Sequence, residues 1–132
     1  SAGEAAAKVG AKVIGVDVDQ AGTIDGLYGE GMTVTSAMKG LAATVKTQLS
    51  AVLDGAFKGG MVENLGLVSN VPEENSVQLA GSTQFGEGFT AEDYAALVAS
   101  MFAGDVTVSN DISVAAADNA STFTVDDLGN LK

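Results

Sequence analysis

The chain lacks cysteine, histidine and tryptophan, and its 132 residues include a single proline. Without cysteine there is no disulfide, no thiol nucleophile and no thiolate metal ligand. Without histidine the sequence also lacks the commonest general base and the commonest metal ligand. The chemistry that remains is that of carboxylates and lysines, or else binding.

Positive charge is scarce and unevenly placed. All six basic residues are lysines, against 17 carboxylates, so the formal net charge is −11. Residues 1–60 carry five of the lysines and six carboxylates, whereas residues 61–131 carry eleven carboxylates and no cation. Because phosphate neutralisation needs basic groups, the composition argues against nucleic-acid binding. The acidic second half, taken alone, is typical of a solvated surface.

Long hydrophobic runs are also missing. Although 46% of the residues are hydrophobic, no stretch approaches the ~20 uninterrupted apolar residues that cross a bilayer. The first residues show no charged segment followed by an apolar one, so no secretory signal is recognisable. Instead, the segment from Glu4 to Lys8 is rich in helix formers and ends at Gly10. A chain that opens inside a helix suggests a piece of a longer protein.

The first half of the chain alternates β-prone and helical patterns. A mostly apolar, β-branched run at 12–18 predicts a strand buried on both faces of a parallel sheet. A glycine-rich composition predicts a loop over 21–31, and a short β-prone run follows at 32–35. Ser36 is a good N-cap, and apolar residues at helical spacing then predict a helix over 36–54. These residues are Met38, Leu41, Val45, Leu49, Val52 and Leu53.

The second half continues the mixed pattern. Thr90, followed by carboxylates in the next turn, predicts a helix N-terminus, and Gly104 ends the apolar pattern that follows. The order of elements is that of a mixed α/β chain. The remaining β-prone segments are 64–68, 76–80, 105–109, 112–114 and 122–125.

The segment after the first predicted strand superficially resembles a calcium loop. Asp17, Asp19 and Gly22 fall at the first, third and sixth positions of an EF-hand, but Ala21 and Tyr28 occupy positions that require ligands. A strand also precedes the segment where an entering helix is required. Calcium binding is therefore a poor interpretation, and the sequence predicts no metal ligand, cofactor or catalytic group.

Asp17 and Lys39 are stronger candidates for a binding site. Ligands of open α/β sheets bind outside the carboxyl ends of parallel strands, and Asp17 closes the first predicted strand. A carboxylate there can accept hydrogen bonds from vicinal sugar hydroxyls, or it can merely cap the next turn. Lys39 in a first helical turn would oppose the helix dipole, and functional sites often break such local rules. A surface lysine whose stem packs on the helix is the alternative.

Two adjacent motifs carry a family resemblance. The run VIGVDVDQ at 13–20, followed by VTSAMKGL at 34–41 at the start of a long helix, resembles the basic membrane protein family. These proteins are substrate-binding lipoproteins of bacterial ABC transporters, also called purine nucleoside receptor-type. Agreement continues in FTAEDY at 89–94 and GDVTVSND at 104–111. The resemblance covers residues 1–111 and implies the C-terminal part of such a protein, with residues 112–132 an unplaced β-prone tail.

The resemblance implies a type I periplasmic-binding-protein fold, in which two α/β lobes close on a ligand. This chain would be a truncated portion that contributes to both lobes. It implies that Asp17 binds ribose hydroxyls and that Lys39 faces the ligand, with Asp19 and Ser36 as further ligand-binding candidates. The aromatic residues that hold the base would lie in the part of the family that precedes this segment.

The implied function is extracellular binding of a purine nucleoside, or a related solute, for an ABC transporter permease. The protein would not be an enzyme, and its full-length form would be lipid-anchored at the cell surface. A structural or adhesive cell-surface module is the alternative, favoured by the acidic second half and the β-prone tail. A hydrolase is disfavoured because no paired acid and base and no G-x-S-x-G turn is present.

Two further expectations concern the chain on its own. Half of a cleft should bind nucleosides no better than about millimolar. The first strand should present an open edge and the long helix an uncovered apolar face, which a homodimer or an exchange of segments would relieve.

Overall fold

A computed structural model describes residues 1–109, 111, 113–120, 122–126, 128 and 129. Within these residues three strands form one sheet in the order β1-β2-β3, with β1 and β2 parallel and β2 and β3 antiparallel. The mixed α/β class is therefore confirmed. In chain order the elements are α1 (Ala2–Val9), β1 (Val13–Asp17), α2 (Ala21–Tyr28), β2 (Thr33–Lys39), α3 (Leu41–Leu53), a 3₁₀ turn (Pro72–Glu74), β3 (Val77–Leu79), α4 (Ala91–Ala103) and α5 (Ala116–Asn119).

Two helices follow the sequence signals closely. Helix α1 ends at Gly10, which has the left-handed conformation of a helix C-cap. Helix α4 begins with a reciprocal capping box, in which the Thr90 side chain accepts from the Asp93 amide and the Asp93 carboxylate accepts from the Thr90 amide. It ends at Gly104, as predicted, again in the left-handed conformation.

The glycine-rich segment 21–31 is not the predicted loop, because most of it forms α2. Contacts with β2 override the weak helix propensity of glycine. The Asp25 carboxylate accepts hydrogen bonds from the amide and hydroxyl of Thr33 at 2.9 and 2.8 Å, and from the Gly31 amide at 2.8 Å. These bonds fix the turn between α2 and β2, so that β1, α2 and β2 form one parallel unit.

Ser36 is not a helix N-cap, and the prediction of a helix over 36–54 is wrong at its start. Ser36 lies fully buried inside β2, opposite Gly15 of β1. Helix α3 begins at Leu41, after Gly40, whose amide donates to the Ser76 carbonyl oxygen. A Cβ at position 40 would overlap the Asn75 carbonyl, so this approach requires glycine.

Strand β1 exists and is parallel, as predicted, but it is not buried on both faces. It forms an edge of the sheet, and Ile14 and Val16 keep 68% and 63% of their surface accessible. Its opposite face is closed, because Gly15 and Ser36 are buried beneath Gln20. A β-branched run reports strand propensity without reporting whether a layer covers each face.

In the second half, β3 confirms the strand predicted at 76–80. The strands predicted at 64–68 and 105–109 are wrong, since neither segment pairs with another strand. Of the patch at 112–114, residue 112 lies outside the described residues and 113–114 form a turn and a bend. Residues 122–125 form no strand either.

Asn75 organises the segment that replaces the predicted strand at 64–68. Its side chain is 1% exposed, and its oxygen accepts from the amides of Val68 and Ser69 at 2.7 and 2.9 Å. Its nitrogen donates to the carbonyl oxygens of Ser69 and Val71. Because a buried polar group must find its partners in the protein, this one side chain fixes a stretch that has no regular secondary structure.

Few apolar side chains are buried in the described part of the chain. Ala80 and Val98 are the buried hydrophobic residues, whereas Thr33, Ser36 and Asn75 are the largest fully buried side chains. A small aromatic cluster forms where Phe85 meets Phe89 and Tyr94, with ring centroids 6.3 Å apart in each pair. The described fold therefore depends strongly on buried hydrogen bonds.

No helix among the described residues combines the length and the apolar character needed to span a membrane.

We expect Gly15→Ala to lower the free energy of unfolding by about 1–3 kcal/mol, because overpacking forces buried neighbours apart. A Cβ at position 15 would overlap the Ser36 hydroxyl and crowd the Gln20 side chain. Gly26→Ala is the matched control. Position 26 lies inside α2 with open space around it, so alanine there should raise stability by about 0.5–1 kcal/mol. Urea unfolding checks both, and equal stability of the two variants would contradict this packing.

The pH dependence of stability should carry a contribution from Asp25. The Thr33 hydroxyl, followed by the Thr33 and Gly31 amides, holds the pKa of this carboxyl below its ordinary value despite partial desolvation. A depressed folded-state pKa gives stability that is present above the unfolded value of about 3.9 and is lost as pH falls through the folded pKa.

Asp25→Asn should therefore be less stable than the wild type near neutral pH, with the difference shrinking in acid. Thr33→Val removes the hydroxyl that lowers the Asp25 pKa most, so this variant should lose less stability in acid than the wild type does. Thr33→Ser keeps a hydroxyl and should lose stability in acid as the wild type does. Thermal melts across the acidic range provide the measurement. A wild-type advantage over Asp25→Asn that stays constant down to strong acid would contradict the assignment.

Candidate ligand-binding site

The fold brings Asp17 and Lys39 together. The Lys39 ammonium lies 3.0 Å from Oδ1 of Asp17, although the two residues are far apart in the chain. Parallel pairing explains this. Asp17 is the last residue of β1 and Lys39 is the last residue of β2, and neighbouring parallel strands end on the same side of the sheet. Lys39 is therefore a strand residue, and its predicted place in a first helical turn is wrong.

The ion pair is open to solvent. The Lys39 and Asp17 side chains keep 68% and 55% of their surface accessible. Exposed ion pairs contribute ~0–1 kcal/mol to stability and weaken with salt. Stability alone therefore gives little reason for this pair, while exposure leaves both charged groups accessible to a ligand.

Asp17 also has a rare backbone conformation. Its φ angle is +79°, and it is the one non-glycine residue in the described part of the chain with a positive φ. This region is disfavoured for residues with a Cβ, although aspartate and asparagine enter it more readily than most. Strained backbone of this kind is concentrated at functional sites.

A set of hydrogen bonds around Gln20 defines the end of β1; we call Gly15, Val16, Gln20 and Ser36 the Gln20 bracket. The buried Ser36 hydroxyl accepts from the Gln20 amide at 3.1 Å, and Oε1 of Gln20 accepts from the Val16 amide at 3.0 Å. Gly15 provides the space in which these groups meet. The bracket ties the residue before Asp17 to the start of α2.

Ser36 is buried beneath the candidate site and does not form part of its surface. It is 0% exposed, and its hydroxyl is engaged with Gln20. A group without accessible surface does not touch a ligand in this conformation. Its position makes it a support for the end of β1, through Gln20.

Asp19 is likewise held by the protein. Its Oδ1 accepts from the Ser82 hydroxyl at 2.7 Å and from the Ala21 amide at 3.1 Å. The Ser82 bond, followed by the Ala21 amide, lowers the pKa of this carboxyl from its ordinary value. Asp19 thus stabilises the first turn of α2 and anchors the segment after β3.

Sequence reasoning missed Gln20 and Ser82 as parts of this arrangement. Gln20 lies inside the run VIGVDVDQ, but the sequence pattern places Ser36 at the start of a helix and so does not indicate it as the hydrogen-bond partner of Gln20. Ser82 lies 63 positions from Asp19. A contact of that sequence separation leaves no local pattern in one sequence.

The geometry does not support the calcium alternative. The later positions of an EF-hand loop would fall on residues that form α2. No group of three or more acidic side chains capable of holding a metal ion occurs among the described residues.

A separate groove lies between α3 and residues 68–74. Its volume is about 380 Å³, and its polar lining includes Lys46, Glu73 and Glu74. None of the four predicted ligand-binding residues lines it.

Comparison of the chain with protein-family models, with curated proteins and with solved structures gave no match. The geometry around Asp17 and the motif resemblance are therefore the two supports for a function.

Substitutions at Asp17 should separate backbone strain from side-chain chemistry. We expect Asp17→Gly to be at least as stable as the wild type, because glycine adopts positive φ without the steric cost of a Cβ. Asp17→Ala should be about 1 kcal/mol less stable than Asp17→Gly, since both lose the ion pair but alanine keeps the Cβ. Denaturant unfolding compares the variants. Equal stability of the alanine and glycine variants would show that the position is not strained.

Proposed function

We propose that the carboxyl ends of β1 and β2, which carry Asp17 and Lys39, form one wall of a solute-binding cleft that recognises the ribose of a purine nucleoside. The observation that carries the proposal is the exposed Asp17 carboxylate, held in a strained conformation beside Lys39 at the carboxyl end of β1. This is the location at which open α/β sheets bind ligands. The resemblance of residues 13–20 and 34–41 to nucleoside-binding lipoproteins supports the same function.

The chemistry of Asp17 suits vicinal hydroxyls. An ionised carboxylate is an acceptor with two oxygens, so it can take a hydrogen bond from each of two neighbouring hydroxyl groups. Such charge-assisted bonds are stronger than neutral ones. Lys39 lies 3.0 Å from Oδ1, which keeps a counter-charge beside the carboxylate and leaves ammonium protons for an oxygen or ring nitrogen of the ligand.

The bracket explains how a strained aspartate can be kept in place. Val16 and Gln20 are hydrogen-bonded on either side of the turn that contains Asp17. A side chain whose backbone is fixed before binding loses less conformational freedom when the ligand arrives. Ser36 and Asp19 contribute to the proposed site as supports for this turn, and Asp17 and Lys39 as ligand contacts.

The proposed setting is a type I periplasmic-binding-protein fold, in which a second lobe closes over the ligand. Small-molecule sites normally bury most of the ligand surface. With more than half of each side chain accessible here, this wall alone should bind a nucleoside weakly. In the proposed complete protein, the ligand would be delivered to an ABC transporter permease at the cell surface.

A nucleoside titration followed by NMR tests this proposal on the chain itself. Inosine should shift the amide resonances of Asp17 and Lys39, with a dissociation constant of about 1 mM or weaker. The 2′,3′-dideoxy analogue, which lacks both hydroxyls, should leave these resonances unchanged. Asp17→Asn keeps the size and the tolerance of positive φ while removing the charge, and it should abolish the inosine response.

Asp54→Asn is the matched control, because it removes a carboxylate at the end of α3 and should leave the titration unchanged. Equal responses to inosine and its dideoxy analogue would refute the ribose role. Shifts confined to residues away from the β1 and β2 termini would refute the site.

A further inference from the structure

Hydrogen bonds hold both walls of the groove beside α3 in place. One wall is α3 itself. In the other wall, the Asn75 side chain, which is 1% exposed, accepts from the amides of Val68 and Ser69. The Thr44 hydroxyl donates to the Ser76 hydroxyl at 3.1 Å and so joins α3 to the residue after Asn75. Because the groove is already formed, less conformational freedom is lost when a ligand binds.

Small side chains keep the groove open. Ala42 and Ala43 line it from α3, where longer side chains would fill it. Its volume of about 380 Å³ lies at the lower end of the ~300–1,000 Å³ of typical ligand pockets. Thr47, Ser50 and Ser69 add hydroxyl groups to the lining. The size and the polar lining suit a small polar molecule, such as a single amino acid.

Three charged side chains line the groove, and the two walls differ in the sign of their charge. Lys46 lies on α3, whereas Glu73 and Glu74 lie on the 3₁₀ turn opposite. Among the described residues, none of the three forms an ion pair. The Ser69 hydroxyl donates to Oε2 of Glu74 at 2.7 Å, which orients that carboxylate. The groove thus presents one ammonium group and two carboxylates to a ligand.

These charges match a molecule that carries one carboxylate and two cationic groups. The ligand carboxylate can pair with the Lys46 ammonium, while the two cationic groups pair with Glu73 and Glu74. A basic α-amino acid carries these three charges at neutral pH. An acidic amino acid would instead place a second carboxylate near two glutamates. Charge complementarity of this kind determines specificity more than affinity.

We propose that the groove binds a basic α-amino acid such as L-lysine, with the carboxylate at Lys46 and the two amino groups at Glu73 and Glu74. Neither Asp17 nor Lys39 lines the groove, so the proposal is independent of the nucleoside site. All three charged groove side chains are exposed. Their contacts with a ligand are therefore comparable to surface ion pairs, and binding is weak and sensitive to salt.

An NMR titration tests the proposal by comparing L-lysine with cadaverine, the diamine that remains when the carboxylate is removed. The comparison is needed because a chain with a net charge of −11 attracts any cation. About 0.15 M salt screens that long-range attraction. L-lysine should shift the amide resonances of Lys46, Ser69 and Glu74 saturably. It should bind about 2–5-fold more tightly than cadaverine, which is the contribution of one exposed ion pair.

Substitutions assign each charge of the ligand to its partner. Lys46→Gln should remove the advantage of L-lysine over cadaverine, because only L-lysine has a carboxylate to lose its partner. Glutamine is as good a helix former as lysine, so the circular dichroism of α3 should not change. Glu73→Gln and Glu74→Gln should each weaken the binding of both ligands. L-glutamate should leave the resonances of the groove unchanged.

Lys58→Gln is the matched control, because it removes the same charge at an exposed position that does not line the groove. This variant should keep the wild-type preference for L-lysine. Equal affinity of the wild-type chain for L-lysine and cadaverine would indicate a non-specific attraction of cations and overturn the proposal. A preference for L-lysine that persists in Lys46→Gln would also overturn it.

Discussion

The hydrogen bond from the Gln20 amide to the buried Ser36 hydroxyl links the strand and the helix that flank Asp17. It joins the start of α2 to the middle of β2, and the same glutamine then accepts from the Val16 amide of β1. The contact is possible because residue 15 has no side chain. Asp17 follows directly, with its positive φ and its ion pair. A buried hydroxyl thus helps to fix the turn that carries an exposed carboxylate.

This dependence on polar contacts follows from how little apolar surface the described fold buries. Asp25 closes the turn between α2 and β2, and Asn75 fixes the irregular segment before β3. Such bonds are directional, and leaving one partner unsatisfied in a buried place costs about 1–3 kcal/mol. They specify geometry well but bury few hydrophobic groups. Several apolar residues that the sequence supplies remain exposed, among them Ile14 and Val16 of β1 and Leu41 and Leu49 of α3.

The parts of the fold that the sequence predicted are those governed by local rules. The capping box at Thr90 and the glycine after α1 are decided within a few residues, and both helices formed as expected. The β-branched run gave β1, and its position before Asp17 led to the correct expectation that this carboxylate ends a parallel strand. The family resemblance implies that Asp17 and Lys39 both face a ligand, but it does not predict the direct ion pair between them.

The predictions that are wrong concern residues whose conformation depends on contacts with distant parts of the chain. Ser36 satisfies the local pattern of an N-cap, but its pairing with Gly15 and its bond to Gln20 place it in a strand. The glycines of 21–31 predict a loop, but the bonds between Asp25 and Thr33 stabilise a helix there. Asn75 and Ser82 act on residues that no spacing rule connects to them. The pattern of one sequence carries local preferences, and these three-dimensional contacts outweigh them.

The account depends most on the bond between Gln20 and Ser36, and amide hydrogen exchange of the wild-type chain measures it directly. If this bond anchors the end of β1, the Gln20 amide should exchange as slowly as the amides of β2 that pair with β1. If the Gln20 amide exchanges as fast as the amides of the exposed segment 56–62, the bond does not hold. In that case Asp17 would have no fixed position at the edge of the sheet.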